Sequence, residues 1–397
     1  MRGAYKERAK DFFRQAAVLT PYPFKGGIRF GLVPGVRTLG TGDKCQGETV
    51  AGAALIHKPW TAKRHLPHRL VGEVPPAFLR EETHPLPGAA AARLSEGRVW
   101  GREGAVFDKD GYLIAEPARQ IGGNPFDWRE RYSLIRPRPR RLSGRWGVLT
   151  GCGCHGFFHW MMDVLPRIAL IREIAPTMDG WLVGAWAQPF VRESLTLAGI
   201  PSQTCVEVLP GGHYQADEIV VASCPSVPGN PPLWAVEYLR TLEKNLPPAP
   251  ANLPSRFLVS RRNSKVRTVE NETELMARLK PLGYESMQLE SLPLSTQIHL
   301  FRQAKSIIAP HGAGLSLLSF TRPGTRVLEI FGGDYVNVCF WALADLVKAN
   351  YTYMISDDVS PAVANSNSGC MRLSSHRIGE LAKWAKQATA EEVSYQT

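Results

Sequence analysis

Residues 305–331, KSIIAPHGAGLSLLSFTRPGTRVLEIF, read as a strand, a glycine turn, a helix and a second strand. Two short apolar runs flank a segment that carries His311, Gly312, Ala313 and Gly314 at its start. Strand, helix and strand in that order are the repeating unit of a parallel sheet. In an open α/β sheet a ligand sits at the carboxyl ends of the strands, against the N-terminus of the following helix. Glycine lets the backbone approach a phosphate with its N–H groups turned toward it. The turn at 311–314 is therefore expected to cradle an anion. No Lys-Ser/Thr pair follows it, so it is not an ATPase-type phosphate loop, and the third glycine of the dinucleotide fingerprint is absent.

The same alternation extends outward. RFLVSRR and YESMQLE read as strands, NETELMARLKPLG and STQIHLFRQA as helices, and NVCFWALADLVKA as a helix leading into the strand YTYMI. Asn271 is placed as an N-cap, with Glu274 at the capping-box position. Ile378, Leu381, Ala382 and Ala385 mark a final amphipathic helix. Upstream of the proline-rich linker 245–257 lies a second series: RWGVLTG, HGFFHWMMDVLPRIALIREI, DGWLVGA, QPFVRESLTLAGI, QTCVEVLP and ADEIVVAS. The expected fold class is α/β, with two domains of alternating strands and helices facing a cleft and a β-rich N-terminal extension. The boundaries read are 1–95 for the extension, 96–244 for the first α/β domain, 245–257 for the linker, 258–360 for the second α/β domain and 361–397 for the C-terminal segment.

The chain has 397 residues, 44% hydrophobic and 21% charged, enough for two buried cores. Its net charge of +11 favours anionic ligands or surfaces, and no recognised nucleic-acid module accompanies it. The start lacks an apolar signal region, no window is long and apolar enough to span a bilayer, and the seven cysteines are odd in number and irregularly spaced. The expected location is cytoplasmic, free or peripheral to the inner face of the plasma membrane. GCGCH (151–155) lacks further ligands at a zinc spacing, so no metal is assigned to it. DKD (108–110) matches a pattern by which many sugar-transfer enzymes hold a divalent metal, but Asp110-Gly111 is a hairpin turn that explains it better. The basic stretch RPRPRRLSGRWG (136–147) reads as a solvated loop.

Cations gather around the glycine turn. Arg261 and Arg262 follow the first strand of the same half, and Arg267 comes soon after. Arginine offers a forked cation suited to a diphosphate. Glu329, at the end of the next strand, is placed to accept bonds from a ribose, or else pairs with an arginine such as Arg326. In the first half, His159 and Asp163 are four residues apart and share a helix face, which Arg167 continues beyond Pro166. They form either a base with its orienting partner or a buried pair that anchors the helix. Trp160 reads as core, and Gln297 as a first-turn residue facing either ligand or solvent.

FLVSRRNSKVRTVENETEL, then LSTQIHLFRQAKSIIAPHGAGLSLLSFTRPGTRVLEIF, together resemble the core of glycosyltransferase family 61, and GFFHWMMDVLPRI resembles that family's second block. The likeness covers roughly residues 100–360. It implies a GT-B-like fold of two Rossmann-type domains, 96–244 for the acceptor and 258–360 for the nucleotide-sugar, and an inverting glycosyltransferase that needs no metal cofactor. It also implies a nucleotide-diphosphate sugar donor, UDP-linked by analogy, bound by Arg261, Arg267, His311, Gly312, Ala313, Gly314 and Glu329. Asp163 is then the general base, with His159 orienting it, or the two roles reversed. The acceptor expected is a growing polysaccharide, as in capsule synthesis, or a lipid-linked glycan. A protein acceptor and a non-catalytic nucleotide- or glycan-binding module are the alternatives. Where relatives carry Asn-Tyr before the His-Trp, this chain has Gly156-Phe157-Phe158, so any contact made by that asparagine is missing.

Overall fold

The computed structural model describes residues 28–29, 36–42, 47–71, 74–101, 103–118, 136–151, 153–225, 229–333, 335–359 and 369–394. Cys152 and the N-terminal stretch 1–27 lie outside the described residues. Two large sheets with helices packed on them make an α/β fold.

The sheet that contains the 305–331 stretch has six strands. Their order in space is Glu285–Met287, Arg256–Val259, Ser306–Pro310, Arg326–Phe331, Asn350–Ile355 and His68–Val71, and every neighbouring pair is parallel. Ser306–Pro310 and Arg326–Phe331 occupy the centre and are buried almost throughout. Their mostly apolar runs, interrupted in the second by Glu329, suit strands covered on both faces. From Arg256–Val259 the chain steps to one side for Glu285–Met287, then crosses to the other side for Ser306–Pro310. The winding direction reverses between Arg256–Val259 and Ser306–Pro310. Loops leaving those two strands diverge, and a crevice opens at their carboxyl ends.

The segment after the glycine turn, Ala313–Phe320, is a 3-10 helix. Its sequence explains the tighter winding. Leu315 and Leu318, Ser316 and Ser319, and Leu317 and Phe320 each repeat after three residues, the 3-10 period, and all six are buried. Asn271 precedes the helix Glu272–Leu279, but its side chain does not cap it. Instead it clamps Leu373, donating to that carbonyl at 2.8 Å and accepting from its N–H at 3.1 Å.

The other sheet is mixed. Cys205–Glu207, Gly180–Val183, Arg140–Leu149 and His213–Ala222 are parallel, as expected for strands linked by helices. His213–Ala222 then pairs antiparallel with Ala89–Ser95 and Arg98–Trp100. Arg98–Trp100, Ala105–Phe107 and Leu113–Ile114 follow through short turns, which permit only antiparallel pairing. The hairpin at Asp110-Gly111 forms, with Gly111 at φ 93°. Asp108 accepts the Tyr112 N–H at 2.9 Å and pairs with Arg37, so the DKD triplet is occupied as a turn.

One hydrophobic core runs through both halves, from Leu149, Trp160 and Ile171 to Phe301, Leu317 and Phe340. The residues before 96 divide between the sheets. Ala54–His57 and Ala89–Ser95 join the mixed sheet, whereas His68–Val71 is the edge strand of the parallel one. Trp60–Lys63 and Thr83–Leu86 pair as a separate ribbon, with the helix Pro76–Glu81 just before the second strand. This strap, residues 60–86, is fastened by Phe78, which is fully buried against Phe331, Trp341 and Tyr353.

Candidate active site

The crevice at the point of reversal is where the sequence placed its cations. Arg261 leaves the strand Arg256–Val259 and lays its guanidinium against Gly312, which leaves the strand Ser306–Pro310. A Cβ at Gly312 would stand 2.2 Å from Arg261 Nη1, so the approach needs glycine. Arg261 Nη2 donates to Ser264 Oγ at 2.9 Å and to the Val266 carbonyl at 3.2 Å. Arg267 has a left-handed backbone at φ 55°, held by its N–H, which donates a hydrogen bond to the Gly369 carbonyl at 3.0 Å. Such a conformation costs a non-glycine residue about 1–3 kcal/mol and is retained where the side chain must be aimed. Its guanidinium lies 5.5 Å from the centre of the Tyr335 ring. Among the described residues neither arginine has a carboxylate in ion-pair contact, and the Nε of each is buried without a hydrogen-bond partner. Burial, and then the nearby charge of Arg267, pull the Arg261 pKa down to about 10. Two like charges confined together are short of an anion.

Arg262 does not join them. It turns outward and bonds Glu272 Oε1 at 3.0 Å. Glu329 also sits elsewhere than a ribose contact requires. The strand continues to Phe331, so Glu329 lies inside the sheet, fully buried. One carboxylate oxygen meets His311 Nδ1 at 2.5 Å and the other accepts from the Tyr351 hydroxyl. Both oxygens are thus engaged within the protein, and Glu329 is a positioning residue for His311. The pairing with Arg326 considered from the sequence is not the one observed here. The His311 ring is walled by Phe331, Phe340 and Tyr335 at centroid distances of 5.4, 5.1 and 5.5 Å. Ala313 and Gly314 are half-buried, so the first turn of the 3-10 helix, whose leading N–H groups have no partner within the helix, reaches the crevice.

A second imidazole–carboxylate pair comes from the other half. Phe157–His159 begins as α-helix and widens into a π turn over Trp160–Val164, where Leu165 N–H reaches back to the Trp160 carbonyl at 2.8 Å. Pro166 has no N–H to continue the α ladder. Buried Arg167 binds the turn from behind, donating to the Asp163 carbonyl at 2.7 Å and the Thr150 carbonyl at 2.8 Å. π turns are rare and concentrate at functional sites. His159 Nδ1 lies 2.6 Å from Asp163 Oδ2, with the histidine side chain 25% exposed and the aspartate 11%. Trp160 is core, its indole N–H bonded to Ser194 Oγ at 2.8 Å. Phe158 packs on both His159 and Phe340, and Phe340 packs on His311. Both imidazoles therefore flank the same two phenyl rings.

A cleft of about 380 Å³ opens between the halves, in the range of small-ligand sites. Phe157, Phe190 and Glu193 line one wall, and Arg261, Gln297 and Gly314 the other. Gln297 also donates to the Leu292 carbonyl at 2.8 Å. Among the described residues no three His, Cys, Asp or Glu side chains converge as a metal-ligand set.

Residues 157–328 match the model of the family described as glycosyltransferase 61. This segment is a glycosyltransferase 61 domain. The protein is accordingly an enzyme, a glycosyltransferase, whose substrates in general terms are a sugar donor and a glycan acceptor. The matched residues of the glycosyltransferase 61 domain begin at the first residue of the helical turn that holds His159 and Asp163. They end one residue short of Glu329. No curated protein matches the chain. Two site features of the glycosyltransferase were not singled out from sequence. Tyr351 was read only as part of a strand, although alternation in YTYMI puts it on one face with Tyr353. Glu193 lies in an unremarkable helix, and its contact across the cleft has no local signature.

Proposed function

We propose that this glycosyltransferase is an inverting enzyme with GT-B-like halves. It moves a sugar from a nucleoside diphosphate donor to a hydroxyl of a polysaccharide or lipid-linked glycan, without an essential metal, on the cytoplasmic side of a membrane. The observation that carries the reading is the pair Arg261 and Arg267, half-buried side chains close enough to feel each other's charge, with Arg261 against Gly312 and the Nε of each buried without a hydrogen-bond partner. The uridine assignment for the nucleotide follows the family likeness alone.

Transfer is a single displacement. The acceptor oxygen attacks the anomeric carbon from the face opposite the diphosphate, and its proton passes to a base in the first half. Relative exposure favours His159 as that base: Asp163 holds Nδ1 from the more buried side and leaves Nε2 as the outward group. As the new bond forms, the bond between the anomeric carbon and the phosphate oxygen breaks, and its electron pair leaves with the diphosphate. Arg261, Arg267, the amides of Ala313 and Gly314, and His311 Nε2 receive that charge. Inversion is the stereochemical consequence of one backside attack.

A thermal-shift panel of UDP, GDP, CDP and ADP, with and without EDTA, tests the reading on wild type and Arg261→Met. One nucleoside diphosphate is expected to stabilise the wild type with EDTA present and to leave the variant unchanged. Stabilisation that needs a divalent metal, or that persists in the variant, overturns it.

A further inference from the structure

Six large hydrophobic side chains stand exposed among the described residues: Leu55, Trp60, Leu66, Val74, Leu79 and Leu233, each 40–55% accessible. Five fall within residues 55–79, on or beside the strap. The sixth adjoins it, because Leu233 precedes Trp234, whose ring stacks on His57 at 4.9 Å. Leu55 lies against Gly88, and Trp60 pairs with Leu86 across the ribbon. Arg64 ties the end of the ribbon to the end of the short helix, its N–H donating to the Glu82 carbonyl at 2.9 Å and its guanidinium to the Glu81 carbonyl at 2.6 Å. On that helix Phe78 points inward and Leu79 outward. A soluble surface scatters such residues singly, and a cluster marks a contact site.

The charge of the segment identifies the partner. Residues 54–86 hold five Lys or Arg and three acidic residues, Glu73, Glu81 and Glu82, in the sequence, and Glu81 is paired with His84. Lys58, Lys63, His65, His68, Arg69 and Arg80 are exposed. A hollow of about 440 Å³ beside Leu66 is rimmed by His65, His68 and Lys348, with Asp345 as its acid. An acidic polysaccharide would use the cations but not the bare leucines. Cations interleaved with aliphatic groups and an exposed tryptophan suit the headgroup layer of a bilayer. Among the described residues no helix is long and apolar enough to cross a membrane, so the contact is peripheral.

We infer that the strap docks the enzyme on an anionic lipid surface. Phe78, on its inner side, packs on Phe331, the ring that stacks on His311. The donor crevice is thus held one aromatic layer from the lipid, within reach of a lipid-linked acceptor. Only that last point rests on the function proposed above.

The test is co-sedimentation of the full chain with phosphatidylcholine vesicles, with and without phosphatidylglycerol, at low and high salt. Binding is expected only with phosphatidylglycerol and is expected to weaken as salt rises. The triple variant Lys58→Glu/Lys63→Glu/Arg69→Glu should bind at least about tenfold more weakly. Trp60→Ser/Leu79→Ser should bind about tenfold more weakly, with the remainder lost in salt. Equal binding to neutral vesicles, no vesicle binding, or wild-type binding by both variants overturns the inference. So does a concentration-dependent dimer that the variants lose, which would assign the surface to a second copy. Nucleotide stabilisation unchanged in these variants, and vesicle binding unchanged in Arg261→Met, keep this test separate from that of the donor site.

Discussion

At the scale of single residues, the crevice beside the glycine turn is built from a conflict. Arg261 is held charged in a place that disfavours charge, and its depressed pKa of about 10 records the cost. Its charged form is the destabilised one in the folded chain. The cost is therefore present in full at neutral pH and is relieved only as pH rises through about 10. Arg261→Met is accordingly expected to raise the melting temperature of the empty protein by about 1–3 °C while abolishing nucleotide binding, read by calorimetry. Gly312→Ala tests the same contact from the other side. The intruding Cβ meets the far end of a flexible side chain, so the guanidinium swings away and the fold survives. Stability should change by less than about 1 kcal/mol in urea titration. Donor affinity should fall about tenfold to a hundredfold, the worth of a charge-assisted bond. Much of this was legible: Arg261, Arg267 and the turn at 311–314 lie together as the alternating strands predict. Glu329 was misplaced because the sequence does not mark where a buried strand ends. His311 and Tyr351 claim it through contacts between neighbouring strands that no local pattern announces.

Among the elements, the helical turn carrying His159 and Asp163 is the one whose form was least readable. Apolar spacing announces a helix over HGFFHWMMDVLPRIALIREI, yet the π turn inside it depends on Pro166 and on Arg167 reaching the Thr150 carbonyl just beyond the strand Arg140–Leu149. Arg167→Met leaves two buried carbonyls without their donor and should cost about 2–4 kcal/mol in urea titration. Because the turn then relaxes, the turnover number should fall while the KM for the donor holds, a split visible in steady-state kinetics. The 3-10 helix Ala313–Phe320 is the contrasting case. The sequence reads it simply as a helix, and the three-residue repeat in LSLLSF is the feature that marks it as 3-10. Gly314 shows what tight winding allows: Leu289 Cδ1 fills the space a side chain would need, 2.7 Å from the position of a Cβ.

Over the whole molecule, the two halves are joined by more than the linker. Glu193 accepts the Leu294 N–H at 2.6 Å at the start of a helix in the opposite half. Arg240 donates to the carbonyls of Ser319 and Thr321. With one core spanning both sheets, urea unfolding followed by tryptophan fluorescence and by far-UV circular dichroism should give coincident single transitions. Glu193→Ala should lower stability by about 1 kcal/mol, the value of a helix-start carboxylate, without altering that coincidence. The sequence reading kept residues 1–95 together as an extension. No composition change marks where that stretch passes from one sheet to the other, since the decision is made by partners far along the chain. The strand His68–Val71 leaves the ribosome roughly 280 residues before the strand Asn350–Ile355 beside which it finally lies. At about 5–20 residues per second that is tens of seconds of synthesis. Throughout that interval the strap has no sheet to rest on, and Phe78 is as naked as Leu79. During translation it is the stretch that a nascent-chain chaperone has most reason to hold.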